Sequence, residues 1–161
     1  MAFLATAQGT SYIEEQVFEG RFATAKILEQ MGAVIRTEDQ RAVIEGHYPL
    51  KGAAVNACDL RGGAALMVAA LTAEGDTFIG ECHHIERGYE DIVRKLSGVG
   101  ADIRVEGRVA VVYGVPRLHG AQVRATDLRG GAALAVAALG AEGRSELTGV
   151  HHIDRGYQSL E

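Results

Sequence analysis

Two stretches of the chain are apolar or small at nearly every position, and both open with the same eight residues. DLRGGAAL occupies residues 59–66 and again 127–134, and the apolar runs extend to about residues 73 and 141. Because neither run has a polar face at helical spacing, each is predicted to be a helix that is buried on every side. Asp59 and Asp127 precede the runs, where a carboxylate can accept hydrogen bonds from the first turn of a helix.

Elsewhere the apolar residues follow the spacings of half-buried elements. Three- and four-residue steps predict amphipathic helices over 21–31 and 87–99, with Tyr89 facing the core and Lys95 facing solvent. The HHIE segment at 83–86 is predicted to be a loop. Alternating or short apolar runs predict strands at 10–18, 41–46, 50–58, 76–81, 101–106, 109–115, 120–126 and 145–150.

The whole pattern repeats along the chain. When residues 59–91 are aligned with residues 127–159, 21 of the 33 positions are identical, so the two copies are expected to share an origin and a shape. The start of the chain is a fainter copy, in which Gly9 corresponds to Gly75 and Gly143. The predicted organisation is one repeat domain over 1–161, with a partial repeat at 1–34, a complete repeat at 35–103 and a repeat truncated at its C-terminus at 104–161.

A repeat of this kind cannot bury its own apolar helix. Helices from several repeats are therefore expected to share a centre, with the sheets outside them, which is an α/β fold inverse to an ordinary barrel. Because the first and last repeats are incomplete, both are expected to leave apolar surface exposed to solvent. We expect that the chain is either a fragment or completed by a second chain.

Composition and charge exclude several classes of protein. With 161 residues, 47% hydrophobic residues and a net charge of −5, the chain suits one globular domain without a basic stripe for nucleic acid. The apolar run at 64–71 is far shorter than the roughly 20 residues that cross a membrane. Cys58 and Cys82 form no CxxC motif, so a disulfide framework is not expected and the reducing cytoplasm is the expected location.

Two histidine pairs, His83-His84 and His151-His152, raise the question of a metal site. Adjacent side chains on a strand point to opposite faces, so each pair would supply only one convenient ligand. Hydrogen bonding in a loop is the favoured role. We therefore expect neither a metal nor a cofactor.

The glycine pairs at 62–63 and 130–131 allow two interpretations. They could let an anion approach the N-terminus of a helix, or they could let two buried elements pack closely. Packing is the favoured interpretation.

Four segments together resemble a known family. TAQGTSYIEEQVFEGRF (6–22), CDLRGGAAL (58–66), HHIERGYE (83–90) and KLSGVGADI (95–103) are similar to the C-terminal domain of UDP-N-acetylglucosamine 1-carboxyvinyltransferases, which are enolpyruvyl transferases. The resemblance is continuous over about residues 1–106 and restarts on 108–161. It implies an inside-out α/β barrel, here of about two and a half βαβαββ-type repeats.

The resemblance also implies a chemistry and a set of site residues. The family transfers the enolpyruvyl group of phosphoenolpyruvate to the 3′-hydroxyl of UDP-N-acetylglucosamine in peptidoglycan synthesis. Matching motifs imply that Arg61 and Arg87 contact phosphoenolpyruvate, and that Asp59 and Leu60 lie in a segment that settles on domain closure. Arg21 matches a family arginine, although Gly20 stands where the family has asparagine.

The second repeat supplies Asp127, Arg129 and Arg155 as alternative candidates. A family enzyme does not use two such last repeats, so at most one set is expected to be placed as in the family.

The family's reactive cysteine and general-base aspartate lie in motifs that these 161 residues do not contain, and neither Cys58 nor Cys82 lies in a matching motif. We therefore expect weak substrate binding and no turnover by the chain alone, with a separate N-terminal domain or a second copy as a possible partner. A non-catalytic duplicated or engineered repeat scaffold that self-associates is the alternative. A relative acting on shikimate 3-phosphate is ranked lower.

Overall fold

The computed structural model describes residues 1–18, 20–46 and 49–157, and in these ranges short helices alternate with short strands. The helices are Ala2–Thr6 (α1), Ala23–Gln30 (α2), Leu60–Ala70 (α3), His83–Glu86 (α4), Ile92–Ser97 (α5), Leu128–Leu139 (α6) and His151–Asp154 (α7). The strands are Gly9–Glu14 (β1), Val34–Glu38 (β2), Arg41–Gly46 (β3), Ala54–Asn56 (β4), Asp76–Gly80 (β5), Asp102–Glu106 (β6), Val109–Tyr113 (β7), Leu118–His119 (β8), Gln122–Arg124 (β9), Ala141–Glu142 (β10) and Glu146–Thr148 (β11).

The sheets repeat one connection pattern. In the four-stranded sheet, ordered β4-β5-β7-β6, β4 and β5 are parallel and the other pairs are antiparallel. The three-stranded sheet β1-β3-β2 repeats its antiparallel part. The parallel pair β9 and β11, joined through α6, repeats the connection of β4 and β5 through α3. The element order therefore recurs as the sequence repeat predicts.

The Ala-rich helices lie inside these sheets. Helix α3 contacts both α1 and α6, and its residues Leu66 and Ala70 are fully buried. The prediction of burial on every side is confirmed for most of α3. It is only partly correct for α6, because Leu139 at the end of that helix is 70% exposed.

The glycine pairs allow close packing of the short helices on the central ones. A Cβ added at Gly63 would lie 2.6 Å from Cγ1 of Ile85 in α4, and one added at Gly131 would lie 2.8 Å from Cγ1 of Ile153 in α7. Real Cβ atoms do not approach other atoms so closely. The packing interpretation of these glycines is thus supported.

Two predictions around the HHIERGY segment are wrong. The HHIE segment is the helical turn α4, not a loop, and the helix predicted over 87–99 begins only at Ile92. The reason is Asp91, whose φ of +47° places it in the left-handed region and interrupts any helix running through it. The RGY residues 87–89 lie in the turn before that break, with Tyr89 buried as expected.

The glycine correspondences are confirmed by the backbone. Gly9, Gly75 and Gly143 have φ of +96°, +90° and +92°, a region that favours glycine because it has no Cβ. Within the described ranges, no helix has the length and apolar character needed to cross a membrane.

Candidate anion-binding site

Both DLR segments form the capped N-terminus of a central helix. Oδ1 of Asp59 accepts hydrogen bonds from the backbone N–H groups of Arg61, at 2.7 Å, and Gly62, at 2.9 Å. Oδ1 of Asp127 accepts one from Gly130 at 2.7 Å. The predicted capping role is confirmed for both aspartates. The N–H group of Gly62 contributes most to lowering the pKa of Asp59, against the opposing effect of burial.

Asp127 has a further partner that Asp59 lacks. Its Oδ2 accepts a hydrogen bond from Nζ of Lys95, whose side chain is only 11% exposed. Lys95 also lies 3.8 Å from Oε2 of Glu90, and that oxygen accepts a hydrogen bond of 2.7 Å from Oγ1 of Thr126. This network joins α5 to the start of α6. Burial raises the pKa of Asp127, but Lys95 and the N–H of Gly130 together hold it below its ordinary value.

The two RGY turns pack against the two DLR segments. A Cβ added at Gly88 would lie 3.0 Å from Cδ1 of Leu60, and one added at Gly156 would lie 3.0 Å from Cδ2 of Leu128. The turn that carries Arg87 is therefore held beside the segment that carries Arg61. Arg155 and Arg129 are related in the same way in the second copy.

A cavity of about 440 Å³ opens between the two copies. The first copy lines it with Arg87, Tyr89 and Glu90, and the second lines it with Asp127 and Arg129. The described arginines that share this cavity therefore come from different repeats. Both side chains are exposed.

Tyr89 is close enough to the arginines of both DLR segments for their charges to act on its hydroxyl group. Burial, and next the nearby Tyr157, raise the pKa of Tyr89 to about 12, although the positive charges of Arg129 and Arg61 act in the opposite direction. Arg61 does not line the cavity itself, but its charge reaches this tyrosine. Asp59 and Leu60 directly precede Arg61 in the chain, and Leu60 packs against Gly88.

Two other candidates lie apart from this cavity. Arg21 is half-buried and its guanidinium stacks 4.1 Å from the ring centroid of Phe18. It lines a different cavity of about 260 Å³ together with Glu15 and Asp39. Arg155 is exposed and lines neither cavity.

The two cysteines differ in their surroundings. Cys82 is 1% exposed, and burial, together with the charge of Glu86, raises the pKa of its thiol. Cys58 is exposed, and its thiol lies 3.6 Å from Oδ2 of Asp59. A buried thiol with a raised pKa is a poor nucleophile, so Cys82 is unsuited to covalent chemistry.

Lys95 is the residue that sequence reasoning missed. The helical spacing places it on the solvent-facing side of a helix, but its side chain is largely buried against Asp127. Nothing local in the sequence indicates this contact, because the two residues are 32 positions apart. Tyr157, which corresponds to the buried Tyr89 in the second repeat, is 41% exposed.

The arrangement of central helices and outer sheets is that of enolpyruvyl transferases. The enolpyruvyl transferase NikO from Streptomyces tendae superposes with a TM-score of 0.77 at 25% identity, over 99% of this chain and 39% of NikO. An EPSP synthase from Acinetobacter baumannii superposes with a TM-score of 0.76 at 19% identity, over 98% of this chain and 41% of that one. The predicted inside-out α/β fold is confirmed.

The EPSP synthase (3-phosphoshikimate 1-carboxyvinyltransferase) family model matches residues 1–96 and again residues 92–161. The chain therefore belongs to this family of enolpyruvyl transferases.

Its sequence is similar to proteins named UDP-N-acetylglucosamine 1-carboxyvinyltransferase. The protein from Paracoccus denitrificans is 50% identical over 103 residues, which are 64% of this chain and 24% of that protein. The protein from Koribacter versatilis is 49% identical over 109 residues, 68% of this chain and 25% of its own length. The protein from Desulfofundulus thermocisternus is 52% identical over 103 residues, 64% of this chain and 42% of its own length. The chain thus spans about a quarter of the first two relatives.

Proposed function

We propose that the chain is part of an enolpyruvyl transferase that uses phosphoenolpyruvate and UDP-N-acetylglucosamine in peptidoglycan synthesis. The identity of about 50% to proteins with that name supports the UDP-sugar substrate. The shikimate 3-phosphate alternative has only the family description and a fold-level likeness in its support. The relatives do not favour the alternative of a self-associating, non-catalytic scaffold.

The observation that carries the proposal is the cavity shared by Arg87 and Arg129. In this reaction the sugar hydroxyl adds to C2 of phosphoenolpyruvate, and phosphate then leaves the tetrahedral adduct. The site must therefore hold a carboxylate and a phosphate close together. The planar guanidinium group binds either anion through two parallel hydrogen bonds and stays charged throughout.

Arg87 is common to two possible arginine pairs. The family pattern pairs it with Arg61 of the same repeat, and the cavity pairs it with Arg129 of the next. Either partner is placed by a capped helix N-terminus, since Asp59 and Asp127 fix the first turns of α3 and α6. We assign the anion contact to Arg87 and treat Arg61 and Arg129 as competing partners that experiment can separate.

The other candidates have supporting roles in this proposal. Leu60 supports the Arg87 turn by packing against Gly88, and Asp59 holds the DLR segment in place. Arg21 and Arg155 lie outside the cavity, so their contact with substrate would need the rest of a substrate site around them.

We further propose that these 161 residues bind substrate anions without turning them over. General acid–base groups contribute about 10²–10⁴ in rate, and the motifs of the family's reactive cysteine and general-base aspartate are not among these 161 residues. The carboxylates of Asp59 and Asp127 are engaged as helix caps. Cys82 is buried with a raised pKa. The two free thiols agree with a cytoplasmic setting for the reaction.

Binding is tested by ¹⁵N NMR titration of the 161-residue chain with phosphoenolpyruvate, inorganic phosphate, UDP-N-acetylglucosamine and shikimate 3-phosphate in separate samples. We expect phosphoenolpyruvate to shift the signals of residues 86–90 and either 60–62 or 127–129. Arg87→Ala should abolish the shifts, and whichever of Arg61→Ala and Arg129→Ala does the same identifies the partner. Arg36→Ala, at a 79% exposed side chain on β2, is the matched control.

Each part of the proposal can be contradicted by one result. Shifts that survive Arg87→Ala would remove the proposed anion site. Saturable binding of shikimate 3-phosphate without binding of UDP-N-acetylglucosamine would move the chain to the other substrate branch. Phosphate release by the chain alone, from phosphoenolpyruvate and UDP-N-acetylglucosamine, would disprove the proposal that it does not turn over.

A further inference from the structure

Beside the RGY turn, one short segment brings two imidazoles and a carboxylate together. Glu81, His83 and His84 each offer a ligand atom, and these atoms all lie within 4.8 Å of one another. The expectation that adjacent histidines would point apart assumed a strand. His83 and His84 instead begin the helical turn α4, where their ring centroids are 4.1 Å apart.

His83 carries a buried nitrogen atom that makes no hydrogen bond with the described residues. Its Nδ1 atom is buried, and among the described residues it makes no hydrogen bond, although Oε2 of Glu81 lies only 3.2 Å away. The two groups are close but not aligned for a hydrogen bond. A buried polar atom without a partner is costly, and a cation held by both groups would supply one.

The second repeat has the same histidine pair as the first but no carboxylate at the position of Glu81. His151 and His152 have the same ring separation of 4.1 Å, but Gly149 stands where the first repeat has Glu81. Both residues have positive φ, +74° at Gly149 and +56° at Glu81. Glycine adopts this conformation freely, whereas a glutamate is strained in it. Backbone geometry alone therefore favours glycine, and the carboxylate needs another explanation.

The charge and access of the cluster suit a divalent cation. The carboxylate of Glu81 is 46% exposed and the side chain of His83 is 28% exposed, so the cluster lies at the surface. An ion reaches the buried Nδ1 atom of His83 when the exposed Glu81 side chain rotates aside. Nη1 of Arg108 lies 3.9 Å from the same carboxylate oxygen, but its side chain is 74% exposed and can swing away. The thiol of Cys82 is directed to the carbonyl of Gly107 and is not part of the group.

We propose that Glu81, His83 and His84 bind a zinc ion, with water in the fourth position. Two imidazole nitrogens and one carboxylate oxygen form a common zinc ligand set, with bonds of about 2.0–2.2 Å. Rotation of the Glu81 and His84 side chains would bring their ligand atoms and that of His83 to bonding distance of one ion. The site fixes the junction of β5 and α4 just ahead of the Arg87 turn, and it does not depend on which substrate the protein uses.

The test is calorimetric titration of the untagged, fully reduced chain with ZnCl₂, and with CoCl₂ to record the visible spectrum of a low-symmetry cobalt site. We expect saturable binding of one ion. Glu81→Gln, His83→Ala and His84→Ala should each weaken it by at least about tenfold, because even outer-shell changes cost 10–100-fold in metal affinity. His151→Ala and His152→Ala are the matched controls and should leave the affinity unchanged.

Glu81→Gly guards against misfolding as an explanation. It copies Gly149 of the second repeat and suits the left-handed backbone, so the variant should fold and still lose the ion. The proposal is overturned if no saturable binding occurs up to millimolar metal, or if the second histidine pair contributes as much as the first. Full affinity in Glu81→Gln would overturn it too, and would leave a simple contact between His83 and Glu81.

Discussion

Lys95 and Asp127 form an ion pair that joins the last helix of one repeat to the first turn of the central helix in the next. The side chain of Lys95 is 11% exposed and that of Asp127 is 27% exposed, so the pair is largely removed from water. The corresponding cap in the preceding repeat, Asp59, is bonded by backbone N–H groups and lies against the thiol of Cys58. The second DLR segment is therefore anchored to its neighbour in a way that the first is not.

Replacing Lys95 should destabilise the protein. Lys95→Met keeps the apolar stem but removes the partner of Asp127, and a hydrogen bond to a charged group is worth about 1.5–3 kcal/mol. We expect a loss of this size in the free energy of unfolding, measured by urea denaturation. Lys26→Met, at an exposed lysine of α2, is the control and should change little.

The same pair predicts how stability depends on pH. The pKa of Asp127 is lowered in the folded protein, so the unfolded chain binds more protons and stability rises with pH in that range. The contribution is complete above the unfolded pKa of about 3.9 and is lost as the pH falls through the lower, folded value. Lys95→Met should flatten this acid limb of the stability curve, and an unchanged limb would contradict the assignment.

The two aspartate caps should differ in their effect on stability. Asp59→Ala removes an ordinary helix cap and should cost about 1 kcal/mol. Asp127→Ala removes a cap and also leaves the largely buried Lys95 without its closest partner, so its cost should be greater. Equal losses in urea unfolding would show that Lys95 contributes no more than a surface lysine.

Gly63→Ala should disrupt the packing of α4 on α3. The added methyl group would lie 2.6 Å from Ile85 and 3.0 Å from Cβ of Ala57, and overpacking of a core typically costs about 1–3 kcal/mol. Gly140→Ala is the control, because its nearest neighbour would be the carbonyl of Ala137 at 3.6 Å and its φ is −89°. The control should be neutral or slightly stabilising in thermal unfolding.

Tyr89 should lose its proton later than an ordinary tyrosine does. Its pKa is about 12, so absorbance at alkaline pH should show a component that remains protonated well above the ordinary tyrosine pKa of about 10. Because the folded pKa is the higher one, this group contributes stability below about pH 10 that is lost as the pH rises toward 12. Tyr89→Phe should remove the late component.

Much of the scaffold could be predicted because its signals are local. The capping of Asp59 and the buried character of α3 follow from spacing within a turn or two of the chain, and the correspondence of Gly9, Gly75 and Gly143 follows from the repeat. The failures are also local in origin. The start predicted for α5 was five residues too early, since Asp91 adopts a positive φ that its residue type does not require.

The sequence named the candidate residues of the site, but it did not show which of them lie together. Matching motifs identified Arg61, Arg87, Asp127 and Arg129, yet only the packed structure shows Arg87 and Arg129 at one cavity. The histidine pairs were set aside for a geometric reason that holds on a strand and fails on a helix. Lys95 was assigned to solvent by helical periodicity, and that assignment ignored the helix that packs against it.

By itself, the sequence determined the repeat, most of the element types, the capped central helices and the family resemblance, because these depend on residue spacing and on motifs that recur along the chain. Tertiary structure decided which repeat supplies each wall of the cavity, where Lys95 is buried and how His83 meets Glu81. The first two depend on how helices from different repeats pack together, and no periodicity within one segment encodes the residue that will lie opposite it. The contact of His83 with Glu81 depends instead on the backbone of the β5–α4 junction, where a helical turn brings the two side chains together.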